Sequence, residues 1–177
     1  DSSLMKFAEQ CGSAIESITS AIASIIRWAP VLMVLTVVIV VILRYIFSVG
    51  AIAVQELTMY LHGMLFLLAV PYGVLKNTHV RVDLLYSKFP PSKKNAIDSA
   101  GHLILLIPVG FFILIVSFPY AEASWIIKEK SSEVGGIPAI FVLKACVPIA
   151  GTLLTLQGIS ELQKIFFKTK EETTEIR

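Results

Sequence analysis

Residues 99–121, SAGHLILLIPVGFFILIVSFPYA, run for 23 positions without an Asp, Glu, Lys or Arg. An α-helix rises about 1.5 Å per residue, so this stretch reaches across the ~30 Å hydrocarbon core of a bilayer. Three other charge-free stretches accompany it: 57–75 with 19 residues, and 28–43 and 145–160 with 16 each. The two shorter ones become long enough once flanking charged side chains snorkel outward. The fourth also extends back through the apolar run Ile137 to Leu143. Four transmembrane helices are therefore expected in an all-α integral membrane protein. The whole chain agrees: 55% of its 177 residues are hydrophobic and only 16% are charged, with a mean hydropathy of +0.78. A soluble domain carries about 25% charged residues, so an ordinary water-soluble enzyme is excluded, as is a disordered chain.

Ahead of the first span, Leu4, Ala8, Cys11, Ile15, Ile18, Ile22 and Ile25 recur at helical spacing among Lys6, Gln10, Ser13, Glu16, Ser17, Ser20 and Ser24. This pattern predicts an amphipathic helix lying in the membrane interface before the chain turns inward at Trp28–Pro30. A helix packed on a soluble partner is the other reading. Residues 1–27 carry Glu9 and Glu16 and lack the basic-then-apolar pattern of a signal peptide. The expected organisation is an interfacial helix over 1–27, a four-helix transmembrane domain over 28–165 and a cytoplasmic tail over 166–177. Cys11 and Cys146 are the two cysteines and form no CxxC pair, so they read as small buried apolar residues.

The formal net charge of +2 gives no support to a nucleic-acid partner. The placement of the 15 basic residues is more informative: eleven fall on the two tails and the second loop, and four (Arg44, Lys128, Lys130, Lys144) on the other side. The positive-inside rule then puts both termini in the cytoplasm. Trp28 and Trp125, with Tyr45, Tyr72, Tyr86 and Tyr120, fall near span ends as interfacial anchors.

Charged groups next to hydrocarbon are costly and single out positions that matter. Arg44 closes the first span and Glu56 opens the second on the same side, so a pair between them would offset the desolvation of each. Lys144, just inside the fourth span, can snorkel, pair with a third-loop acid such as Glu133, or meet another chain. His62 is the deep histidine, seven residues after Gln55 on the same helix, and reads as a helix–helix hydrogen-bonding residue. Gly151, Thr155 and Gly158 form a small-residue stripe for close packing, within the chain or with a partner. Gly135–Gly136–Ile137–Pro138 reads as a turn feeding the fourth helix.

The sequence holds no glycine-rich phosphate loop, HExxH or nucleophile elbow, and no cofactor is implied. Two other functions can be weighed. A four-helix membrane cytochrome needs buried histidine pairs, against three histidines of which two are shallow. A stand-alone small exporter needs an acid in the membrane core, and Glu56 lies near the surface. Four helices without a polar core suit an accessory subunit better.

Particular segments carry a family resemblance: Arg44-Tyr45-Ile46-Phe47, Val54-Gln55-Glu56-Leu57, Pro71-Tyr72-Gly73-Val74 and His79-Val80-Arg81-Val82-Asp83, followed by Gly135–Pro138, Leu143-Lys144, Gln157-Gly158 and Glu161. Over about residues 28–165 the chain resembles the small, DctQ-like (Q-type) membrane subunit of tripartite ATP-independent periplasmic (TRAP) transporters. That resemblance implies a scaffold subunit, not an enzyme, in the bacterial inner membrane. Its partners would be a large M-type elevator subunit that carries the substrate and sodium sites, a P-type periplasmic binding protein, and membrane lipids. The system would import small organic anions, such as carboxylates, on a sodium gradient, with specificity residing in the other chains. On this reading Arg44, Glu56, His62, Lys144, Gly151 and Gly158 are interface or structural residues. His79, Arg81 and Asp83 form a cytoplasmic loop motif, with Arg81 placed for lipid phosphate. Lys128, Glu129, Lys130 and Glu133 offer a surface to the binding protein.

Overall fold

The computed structural model describes residues 2–76 and 89–175. Its helices are α1 (Ser2–Ile26), α2 (Ala29–Tyr45), α3 (Ile52–Leu75), α4 (Pro91–Ala100), α5 (Ile107–Ile126) and α6 (Ile140–Glu175), with a π-helical segment, Gly101–Leu106, joining α4 to α5. Four helical stretches among the described residues are long and apolar enough to cross a membrane: Gln10–Tyr45, Ile52–Leu75, Lys93–Ile126 and Ile140–Phe167. The protein is an all-α membrane protein with the four spans expected. The helices run beyond the charge-free stretches because helical geometry does not stop at the first charged side chain, which reaches back to the interface. α6 continues past residue 165 as the same helix.

Helices α2, α3, α6 and α5 stand in a row, each packed on the next, and α1 lies against α3 and α6. The row explains the burial pattern. α2 touches α3 along one face, burying Thr36 but leaving Val31, Leu35, Val38 and Ile42 exposed. The α2–α3 contact includes a hydroxyl pair, Thr36 Oγ1 to Thr58 Oγ1 at 2.7 Å. α5, at the other end, likewise exposes Val109, Phe112, Ile115 and Val116. Such exposure suits hydrocarbon or neighbouring membrane protein, where apolar surface carries no penalty.

The buried core lies on α6, where Cys146, Ala150, Leu153, Leu154 and Gln157 are covered. Its small-residue stripe is spent within the chain. A Cβ added at Gly151 would stand 2.8 Å from the Leu114 nitrogen and 3.0 Å from the Gly110 oxygen. α5 and α6 are therefore in backbone contact, which only small residues allow. Gly158 likewise faces Leu106 and Ile107. Gly63 of α3 faces Leu143 of α6 and keeps the middle of the row close.

α1 ends where Arg27 and Trp28 bend the chain into α2. Its covered residues are Gly12, Thr19 and Ala23, while Ile18 and Ile25 are exposed. The side turned to the bundle is thus a small and polar stripe, and part of the isoleucine stripe faces outward.

Candidate functional site

Two polar clusters organise the molecule, one at each end of the row. The first joins the start of α3 to the connection between α5 and α6. Glu56, one turn into α3, accepts a hydrogen bond from the Ile137 N–H at 2.6 Å through Oε2 and another from the Ser131 hydroxyl through Oε1. Ser131 Oγ in turn accepts the Glu133 N–H at 3.1 Å. Both glycines of the turn are required there. Gly135 has φ +83, a left-handed conformation that favours glycine. A Cβ on Gly136 would press on Ser131 and lie 2.7 Å from Glu56 Oε1. The expected turn is therefore present, with α6 beginning at Ile140 just after Pro138.

This arrangement replaces the expected Arg44–Glu56 pair. Arg44 is exposed and makes no ion pair among the described residues. The Glu56 carboxylate is already occupied by a loop that supplies donors at shorter reach.

Beside it, Lys144 Nζ meets Glu129 Oε2 at 2.5 Å, and Ser124 Oγ donates to the same oxygen at 2.6 Å. Lys144 also lies over the Tyr120 ring at 4.2 Å. Its acid is thus Glu129 rather than Glu133. Lys128 takes a left-handed φ of 48 just after α5, and the Glu129 N–H bonds back to the Ser124 oxygen at 3.0 Å. That reversal folds Glu129 over the helix end, where Lys144 can reach it, while Glu133 is carried out to the exposed tip. The Lys144 ammonium, assisted by the Ser124 hydroxyl, holds the Glu129 carboxyl below the usual carboxylate range. Lys128 Nζ sits over Trp125 at 4.2 Å and Phe141 at 4.7 Å. Those two rings meet edge to face at 4.9 Å. Of the four charges expected to face a binding protein, Glu129 is spent on Lys144 and Lys128 on the rings. Lys130 and Glu133 are exposed beside Val134, which is 91% exposed.

The second cluster joins α1 to the far part of α6. Lys164 Nζ lies 2.8 Å from both Glu16 Oε1 and Glu161 Oε1. Gln157, fully buried, donates to Glu161 Oε1 at 3.0 Å and accepts from Thr19 Oγ1 at 3.4 Å. Ser160 donates to Glu16 Oε1 at 3.4 Å. Sequence reasoning did not assemble this cluster. Its signal was present as two matched stripes: Gly12, Glu16, Thr19 and Ala23 on one helix, and Gln157, Ser160, Glu161 and Lys164 on the other.

The clusters also fix which ends lie together. Glu56 touching the 131–137 turn puts the first and third connections at one end, and Glu16 touching Lys164 puts the N-terminal helix beside the end of the last span. His62 is exposed on α3 and unpaired among the described residues. His79, Arg81 and Asp83 lie outside the described residues.

The organised polar groups of this chain bind its own helices to one another at the two ends of an apolar row. That defines a small polytopic helical membrane protein. The sequence model of the family described as "Tripartite ATP-independent periplasmic transporters, DctQ component" matches residues 33–167. The chain is also 31% identical over 132 residues to a protein of Haemophilus influenzae named as a TRAP transporter small permease, an alignment spanning 72% of this chain and 76% of that protein. The chain belongs to the DctQ family, the small permease subunits of TRAP transporters. The resemblance seen in the sequence holds. This is a family of transporter components rather than of enzymes, which act with other TRAP components in a multi-pass inner-membrane setting.

Proposed function

We propose that this chain is the fixed scaffold of a sodium-driven importer of small organic anions, carboxylates foremost. Its M-type partner, the large membrane subunit, would carry substrate and sodium across by an elevator motion. A P-type periplasmic protein would deliver the substrate. The observation that carries this reading is the open helix row. α2 and α5 each pack on one neighbour and leave apolar surface along their lengths, a shape suited to widening a partner in the membrane. The polar groups of the two clusters are committed to internal ties, as a static frame requires.

On this reading the basic-residue asymmetry puts both termini in the cytoplasm and the Glu56 cluster on the periplasmic side. Lys130, Glu133 and the exposed Val134 then offer contact to the binding protein, and α1 rests in the cytoplasmic interface with Ile18 and Ile25 toward lipid. Reconstitution provides the test. Proteoliposomes holding this chain and the large subunit, supplied with the binding protein and a radiolabelled carboxylate that it binds, should accumulate label only under an inward sodium gradient. Uptake without this chain, or uptake by this chain alone, would overturn the scaffold assignment.

A further inference from the structure

Four residues of α3 stand apart from the rest of the row. Gln55, Met59, His62 and Phe66 are exposed, Met59 by 56% and Phe66 by 67%. At about 100° per residue they fall within about 60° of one another on one face. Thr58, which meets α2, and Gly63, which meets α6, flank that face on either side. The stripe therefore looks out between α2 and α6, and none of the three helices packed on α3, α1 included, covers it.

Its centre is the anomaly. His62 is ten residues from Ile52 and thirteen from Leu75, about 15 and 20 Å along the axis, which is mid-membrane depth. Midway along α2, α5 and the apolar part of α6, the exposed aliphatic residues Val38, Ile115 and Leu156 are what lipid calls for. A neutral imidazole carries one N–H donor and one acceptor nitrogen. Leaving both unpaired in hydrocarbon is costly, because nothing there can hydrogen-bond them. Methionine and aromatic side chains around a central polar group are the composition of a protein contact rather than of a lipid face.

We infer that the Gln55–Met59–His62–Phe66 face of α3 is where a transmembrane helix of the large subunit docks, presenting a hydrogen-bonding side chain to His62 at mid-depth. This rests on the assignment of a large membrane partner under the proposed function. A second copy presenting its α2 or α5 would leave the imidazole unpaired, since the exposed mid-span surfaces there are apolar, and contact of this α3 face with itself would instead give cross-links joining two copies.

The test uses the full complex. The chain is co-expressed with the large subunit of its own transporter, in wild type and in His62→Leu and His62→Asn forms. Single cysteines at Met59, Phe66 and, as a lipid-facing control, Val38 are introduced with Cys11 and Cys146 replaced by Ala. The expected results are a three- to tenfold loss of the co-purified large subunit for H62L, the size of one interhelical hydrogen bond in a membrane, and recovery with H62N. Photo-cross-links to the large subunit, made through a benzophenone maleimide on the single cysteine, should form from positions 59 and 66 but not from 38. Retention of the large subunit by H62L with no cross-link from 59 or 66, or cross-links joining two copies of this chain, would overturn this face while leaving the scaffold reading intact. If the wild-type pair does not co-purify, the scaffold reading itself fails and this inference falls with it.

Discussion

The two ends of the helix row are tied by different chemistry. At the Glu56 end, carboxylates are met by a main-chain N–H, by serine hydroxyls and by one lysine each at most. The partners belong to a short connection and the helix ends it joins. At the Lys164 end, one ammonium serves two carboxylates, and every contact is side chain to side chain: Lys164 and Gln157 meet Glu161 within α6, while Lys164, Ser160 and Gln157 reach across to Glu16 and Thr19 of α1, far away in sequence. Main-chain donors cannot rotate away, so the first cluster is a rigid joint. The second depends on long side chains holding one geometry, and it fastens a peripheral helix. The joint should therefore be the more costly to break, and its loss should spread into the row. Loss of the clasp should release α1 alone.

Glu56→Ala is the strongest break. It strands the Ile137 N–H and the Ser131 hydroxyl, and removal of a charged acceptor from a part-buried site costs about 2–3 kcal/mol. The expected outcome is a lower unfolding midpoint in mixed micelles together with faster hydrogen exchange across residues 129–139. Glu56→Gln, which keeps the acceptor oxygen toward one donor, should lose less. An E56A midpoint equal to wild type would show that the joint is not what holds α3 to α6, and would leave Gly63 against Leu143 as the tie.

Lys164→Ala tests the clasp and should cost less, about 1 kcal/mol, because the ammonium is nearly half exposed. It leaves Glu16 and Glu161 facing each other with no cation between them. Faster exchange and proteolysis confined to residues 10–26, with α3 and α6 unchanged, is the expected signature. Glu16→Gln combined with Lys164→Ala should recover part of the loss, since it removes the repulsion along with the attraction. Spread of the effect into α3 would erase the distinction between the two ends.

How much of this was legible beforehand follows from the same distinction. Four spans, the Gly-Gly turn and the α5–α6 stripe could be read because each is a local pattern: a charge-free run, a pair of glycines, small residues at i, i+4 and i+7. Glu56 and Lys144 were found because a charge beside hydrocarbon stands out by itself. Their partners were not, since Arg44 is the nearer charge in sequence and the loop main chain has no sequence signature as a donor. The reversal at Lys128 that brings in Glu129 is a φ of 48 at a residue whose identity does not announce it. The clasp escaped because Glu16 read as the polar side of an interfacial helix and Lys164 as a topology charge. Only the packing of α1 on α6 makes them one feature.

Acidification probes the Glu129–Lys144 pair without mutation. Lys144 holds the Glu129 carboxyl below its ordinary range, so the folded state binds its proton less readily than the unfolded chain. The contribution of Glu129 is fully present above the unfolded carboxylate value of about 4.3. It is lost as pH falls through the lowered folded value. Protection of the 127–131 backbone should accordingly persist as pH is lowered past the ordinary carboxylate range and fade only in stronger acid. Glu129→Gln should remove that dependence. Fading at the ordinary carboxylate value would mean that Lys144 exerts no hold on Glu129.

The smallest effect on the fold belongs to Lys130 and Glu133, whose side chains are exposed on the connection. Replacing both with Ala should change stability by less than about 0.5 kcal/mol, the range for surface positions away from any tie. That neutrality makes them useful. The joint fixes this connection to two spans, so its tip is held still even though its charges support nothing in the chain. On the proposed function, this held tip, with its idle charges and exposed Val134, is where the binding protein makes contact. Titration of the binding protein onto the membrane complex should therefore show a weaker apparent affinity for the double variant, larger at low ionic strength and shrinking as salt screens it. An affinity unchanged at every salt concentration would assign the tip to solvent, and the rigidity of the joint would then serve the helix row alone.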